Sequence, residues 1–268
     1  RNTGNGVLQQ ITRSAEAEST PMFGSDGSSV VFRRGNDWFA WRPAGLIEPV
    51  LQLKTENDPK KTPPISDAVS HELRLIATLA RQKAEREALS KDRDDRRAGD
   101  GSGSVPATYL GNKLDISSST LSPNGRYALV ITTEKGADEG QTGKMPKYVT
   151  ESGFEEFENV RTRVGRNLPI AQKLWLVDVR SQTVRELDFS TLPGIAIDPL
   201  AELRKAQKRD ALKGNRPVRM DGPAAWSTDG TQVAVMVRTI DNKDRWLVGV
   251  DFAGGKLTVR QRLTDPAW

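Results

Sequence analysis

Short apolar runs alternate with turn-forming residues along most of the chain, and three of these stretches align without gaps. They are residues 21–32 (PMFGSDGSSVVF), 119–130 (STLSPNGRYALV) and 224–235 (AAWSTDGTQVAV). Each sets a large apolar residue, Phe23, Leu121 or Trp226, before a small polar turn near 24–27, 122–125 or 227–230. Asp or Asn followed by Gly supplies residues that tolerate the positive φ of tight hairpin turns. The Val-, Phe- and Leu-rich run after each turn suits a buried strand. A lone Asp-Gly is weak evidence, whereas three copies in matching context define a repeat.

The segments downstream of each turn repeat as well. Residues 37–41, 173–179 and 245–251 read as a third strand, and 49–53, 183–187 and 257–260 as a fourth. Four antiparallel strands per unit make a propeller blade. The predicted fold is all-β: a partial β-propeller of about three WD-like, four-stranded blades over residues 1–268, with helical insertions. Gln10-Ile11-Thr12 leads into the first repeat, and Arg262-Leu263-Thr264 leads into Pro266-Ala267-Trp268 in the same way. About three blades would leave sheet edges and apolar faces open. The chain is therefore expected to belong to a longer polypeptide or to be completed by another chain.

Three insertions interrupt the blades. In 56–103, Ile65, Ala68, Val69, Leu73, Ile76, Leu79 and Ala80 recur at helical spacing, and a charged stretch from Arg81 to Arg97 comes next. This predicts a helix with a packed first half and a solvated second half. In 193–217, Asp198, Pro199 and Gly214 are placed as cap, first helical residue and stop for a helix over 199–213. The stretch 134–172 is irregular and mixes Glu155 and Glu156 with Arg161, Arg163 and Arg166. Neighbouring carboxylates and guanidiniums fit the binding of an amine or a carboxylate, and equally an internal salt-bridge network that orders the loop.

Composition narrows the chemistry. No cysteine is present, which excludes disulfides, thiolate metal sites and Cys nucleophiles. No apolar run approaches the roughly 18–20 residues of a membrane-spanning helix. The net charge of +5 is spread among acids rather than gathered in basic runs with interleaved aromatics, so nucleic-acid binding is not expected. The single histidine, His71, cannot make a zinc site alone. Asp92, Asp94 and Asp95 are followed by Arg96 and Arg97 where a calcium loop needs another oxygen ligand and a Gly. No G-x-S-x-G elbow, P-loop or dinucleotide fingerprint occurs, so no catalytic residue, metal or cofactor is assigned to this chain.

At the repeat motifs, Ser122-Pro123-Asn124-Gly125 above all, and at strands such as Leu174-Trp175-Leu176-Val177-Asp178, the chain resembles the propeller of the prolyl oligopeptidase family of serine peptidases. Dipeptidyl peptidase IV and acylaminoacyl peptidase belong to that family. Residues 145–166 also resemble a segment of bacterial members. The resemblance extends over nearly the whole chain, and TolB-like propellers share the repeat motifs. It implies a propeller that gates or positions peptides for a C-terminal α/β-hydrolase domain outside this chain. It also implies that Glu155 and Glu156, after the aromatic Phe154, bind a substrate's free amino terminus; Arg161 and Arg163 join them as substrate-binding candidates from the mixed charges of the same insertion. The implied partners are a peptide substrate, the hydrolase domain and a homo-oligomer. The implied location is periplasmic or secreted, with the cytoplasm left open. A stand-alone TolB-like propeller serving as a protein-binding scaffold is the alternative.

Overall fold

The computed structural model describes residues 10–59, 81–92, 105–137, 143–160, 170–210 and 212–265. The expected fold class holds: three antiparallel sheets follow one another along the chain as propeller-like blades, and the described residues form no closed ring. Sheet 1 contains β1 (Glu18–Phe23), β2 (Val30–Arg34), β3 (Asp37–Trp41) and β4 (Ile47–Lys54), with β5 (Ala107–Tyr109) added parallel to β4. Sheet 2 contains β6 (Leu114–Leu121), β7 (Tyr127–Glu134), β10 (Lys173–Asp178) and β11 (Thr183–Glu186). Between β7 and β10 the chain leaves the sheet to form a separate hairpin, β8 (Gly143–Lys147) and β9 (Glu156–Val160). Sheet 3 contains β12 (Val218–Met220), β13 (Ala225–Trp226), β14 (Val233–Thr239), β15 (Asp244–Asp251) and β16 (Lys256–Thr264), with β12 and β13 both paired to β14.

The three turns adopt one geometry. Gly27, Gly125 and Gly230 have φ of 67°, 69° and 69°, where only a residue without Cβ sits unstrained. The amide of each donates to the carbonyl three residues back, at Gly24 (2.9 Å), Ser122 (2.8 Å) and Ser227 (2.9 Å). The Asp or Asn before each Gly accepts an amide two residues on: Ser28 to Asp26, Arg126 to Asn124 and Thr231 to Asp229. In turns 2 and 3 a serine hydroxyl, of Ser122 or Ser227, also donates to that side chain, at 2.7 and 2.6 Å.

Two apolar layers hold the sheets together. Val31, Trp38, Ala40 and Leu51 of sheet 1 meet Leu121, Ala128, Val130 and Val177 of sheet 2. Leu129, Leu174 and Leu176, from the other face of sheet 2, meet Val233, Val235, Trp246 and Val248 of sheet 3. Strand alternation makes this possible: successive β7 residues point to opposite faces, and both faces of sheet 2 are buried. Indole N–H groups pin the layers. Trp38 donates to Ser119 Oγ (2.9 Å) from sheet 1 to sheet 2, and Trp226 to Thr120 Oγ1 (3.0 Å) from sheet 3 to sheet 2.

Helix is sparse. Residues 81–92 are helical and exposed, with Arg81–Glu85 and Lys83–Glu87 pairs one turn apart. His71, Asp94, Asp95 and the apolar half of that predicted helix lie outside the described residues. The second predicted helix is shorter than its sequence pattern, running only from Ala201 to Ala206. Lys208 turns left-handed at φ 54° and stops it before Gly214. Asp198 accepts the Leu200 amide (2.9 Å) and pairs with Arg204 rather than capping the first helical amides.

Candidate functional site

Glu155 and Glu156 stand at the far end of the β8–β9 hairpin. Its register pairs Gly143 with Val160, Met145 with Glu158 and Lys147 with Glu156. Residues 148–155 connect the strands. Gly153, at φ 72°, turns the chain, and Thr150 Oγ1 closes the loop by donating to the Phe154 carbonyl (2.6 Å). Ser152 Oγ donates to Glu156 Oε1 (2.8 Å), which fixes one oxygen of that carboxylate; among the described residues the other accepts no hydrogen bond. Among the described residues Glu155 makes no hydrogen bond or ion pair, and both glutamates are exposed. Exposed Tyr148, Phe154 and Phe157 flank them.

This constellation has a chemical meaning. Two adjacent carboxylates with a free oxygen each attract a cationic group, and aromatic rings beside them add cation–π attraction and apolar contact. An isolated two-stranded hairpin is marginal in water by itself. The segments on either side of this hairpin, residues 138–142 and 161–169, lie outside the described residues. Arg161, Arg163 and Arg166, and with them the carboxylate–guanidinium pairing expected from the sequence, lie outside the described residues.

Sequence reading passed over the most connected charged group. Asp244, at the head of β15, is 2% exposed and accepts from Arg262 Nε (2.9 Å), Thr264 Oγ1 (2.6 Å) and Arg216, itself 4% exposed. Burial pushes the Asp244 carboxyl up, but the hydrogen bonds from Arg262, Thr264 and Arg216 and the Arg216 charge outweigh it and hold the group below the usual carboxylate range. Arg216 also donates to the carbonyls of Gly194 (2.9 Å) and Ile195 (3.2 Å), tying the segment after sheet 2 to sheet 3. All the polar groups here are mutually satisfied, so this is a structural clamp rather than a binding site. One signal was available: Asp244 shares the inward parity of Trp246 and Val248, where an apolar residue is expected. Among the described residues no group of three or more His, Cys, Asp or Glu side chains is placed to hold a metal ion, and no helix is long and apolar enough to cross a membrane.

No family model matches the sequence, and no curated protein is similar to it. Among solved structures, the chain is similar to dipeptidyl peptidase 4 from Porphyromonas gingivalis at 10% identity and a TM-score of 0.46, covering 95% of this chain and 27% of that one. It is also similar to TolB from Acinetobacter baumannii at 10% identity and a TM-score of 0.29, covering 96% of this chain and 46% of that one. The chain thus spans about a quarter of the peptidase and under half of the TolB protein. The propeller-like architecture rests on this chain's own stacked sheets.

Proposed function

We propose that this chain is the non-catalytic propeller portion of a periplasmic or secreted serine peptidase, in which it selects peptides for a hydrolase domain. The repeat motifs and strand pattern that resemble the prolyl oligopeptidase family support this reading. The single observation that carries it furthest is the pair Glu155 and Glu156, exposed at a hairpin end, with Glu155 unpartnered among the described residues and Glu156 oriented by Ser152. Two carboxylates presented in this way would take the ammonium of a peptide's free amino terminus, and Phe154 and Tyr148 would contact its first side chains. Arg161 and Arg163 belong to the same proposal as contacts for backbone carbonyls or a carboxylate.

The test is kinetic and uses the complete peptidase. Glu155→Gln and Glu156→Gln should each raise KM for a peptide with a free amino terminus by roughly tenfold, the size of one lost charge-assisted hydrogen bond. The same peptide with an acetylated terminus should be cleaved as by the parent. Equal effects on both peptides, or none on either, would remove the glutamates from substrate binding. The exposed rings of Tyr148, Phe154 and Phe157 favour the alternative, a TolB-like scaffold that binds proteins through this hairpin. In that case no peptide would be turned over.

A further inference from the structure

Sheet 3 meets sheet 2 with one face, through Val237, Trp246 and Val248 among others. Strand alternation sends Arg219, Arg238 and Arg245 to the other face. Register sets them side by side, Arg219 opposite Arg238 and Arg238 opposite Arg245. Adjacent strands lie about 4.8 Å apart, so the three guanidiniums form one row across β12, β14 and β15. Like charges directly opposite one another weaken a sheet unless something offsets them.

The chain offsets them only in part. Asp221, whose amide donates to the Met236 carbonyl (2.8 Å), is the one acid that reaches the row among the described residues. It stands 3.5 Å from Arg238 and 3.6 Å from Arg245. Both separations exceed the roughly 2.7–2.9 Å of a charge-assisted hydrogen bond. The Nε atoms of Arg219 and Arg238 are buried and have no hydrogen-bond partner. A buried donor without an acceptor costs free energy, and native proteins rarely keep one. Two such donors, with one acid for three cations, call for an oxyanion. Arg presents its N–H groups as a planar fork that such a group meets two at a time.

The neighbours of the row decide which oxyanion. On the turn side of Arg245 lies an open recess of about 160 Å³, lined by Met236, Leu247, Gln261 and Leu263 and by Arg245 itself. Met236 and Leu263 are 39% and 58% exposed, and the Arg245 side chain 44%. The cationic row therefore runs directly into an apolar wall that solvent reaches. Inorganic phosphate would use the row alone. A carboxylate on a short aliphatic chain would use both, with its oxygens on the guanidiniums and its chain against Met236, Leu247 and Leu263.

From this juxtaposition we infer that the outer face of sheet 3 binds an aliphatic carboxylate, its head on the Arg219–Arg238–Arg245 row and its chain in the recess beside Leu263. Asp221 competes with the ligand for the same guanidiniums. The inference uses neither Glu155 nor Glu156 and stands apart from the peptidase reading.

Isothermal titration calorimetry of the full chain at low ionic strength tests it, with hexanoate as the probe. Hexanoate should bind at one site, and more weakly as salt is raised. Hexanol has the chain without the charge, and inorganic phosphate the charge without the chain. Each should bind more weakly than hexanoate by roughly tenfold or more. Arg238→Gln should weaken hexanoate binding by roughly tenfold or more, the loss of one hydrogen bond to a charged group. Asp221→Asn removes the competing carboxylate and should tighten binding, a direction in which a merely structural acid would not move it. Both side chains lie on the outer face, so each variant should keep the parent's circular dichroism. If Arg238→Gln disturbs the fold, Asp221→Asn decides alone. No binding of hexanoate, equal binding of hexanol or phosphate, an affinity indifferent to Arg238→Gln, or no gain in Asp221→Asn would each overturn the inference.

Discussion

Turn 1 lacks the serine that turns 2 and 3 use to brace their Asp or Asn, having Gly24 in its place. Ser29 supplies the missing hydroxyl from the other side, donating to Asp26 Oδ1 at 2.8 Å. A Cβ on Gly24 would lie 2.2 Å from that hydroxyl oxygen, so the glycine and the displaced serine are one solution. Ser29→Ala should lower the melting temperature by a few degrees, and Gly24→Ser combined with Ser29→Ala should recover most of the loss, measured by calorimetry. Backbone amides of Ser29 and Ser28 hold Asp26 down to about 2, and the Ser227 hydroxyl with the Thr231 amide does the same for Asp229. Both folded values lie below the roughly 3.9 of an unperturbed Asp. The stability they contribute is therefore complete above about pH 4 and lost as pH falls toward 2. Asn124 makes the equivalent bonds without a charge. Asp229→Asn should accordingly flatten the acid limb of stability against pH while leaving the neutral melting temperature nearly unchanged.

Among the elements, the junction between sheets 1 and 2 is pinned by one buried polar contact, Trp38 to Ser119. Trp38→Phe would leave the buried Ser119 hydroxyl without its donor and should cost about 1–3 kcal/mol in urea unfolding. In Trp38→Phe with Ser119→Ala, the combined cost should fall short of the sum. The strands were legible in the sequence because local chemistry decides them: Asp/Asn-Gly turns set the hairpins and alternating Val and Leu set the faces. The β8–β9 hairpin was not legible, since its Lys, Glu and Pro carry little strand propensity and only cross-strand pairing reveals it. Glu155 and Glu156 were visible as a doublet of acids, but their place at a hairpin end was not. The Arg216–Asp244 clamp escaped because its members are 28 residues apart and meet only through sheet register.

Across the whole molecule, burial is uneven in a way the fold dictates. Sheet 2 is covered on both faces by its neighbours, sheet 3 turns one face away from them, and β1 and β16 are edge strands. Local opening energies follow such coverage. Hydrogen exchange should therefore be slowest in β7 and β10 and faster in β1 and β16, read peptide by peptide by mass spectrometry. Equal protection in all three sheets would mean that the outer face of sheet 3 is covered in solution. The stacking order itself was legible, because three like repeats in sequence imply three like sheets in space. The chemistry of the outer face of sheet 3 was not, because register assembles Arg219, Arg238 and Arg245 from three separate strands. The indoles of Trp38 and Trp226 sit at different sheet junctions, the first fully buried and the second partly so. The chain thus carries a built-in optical reporter for each junction. Variants that retain only one of these fluorophores would show a red shift in emission when that seam parts, so loosening of the two seams can be timed separately in the same protein.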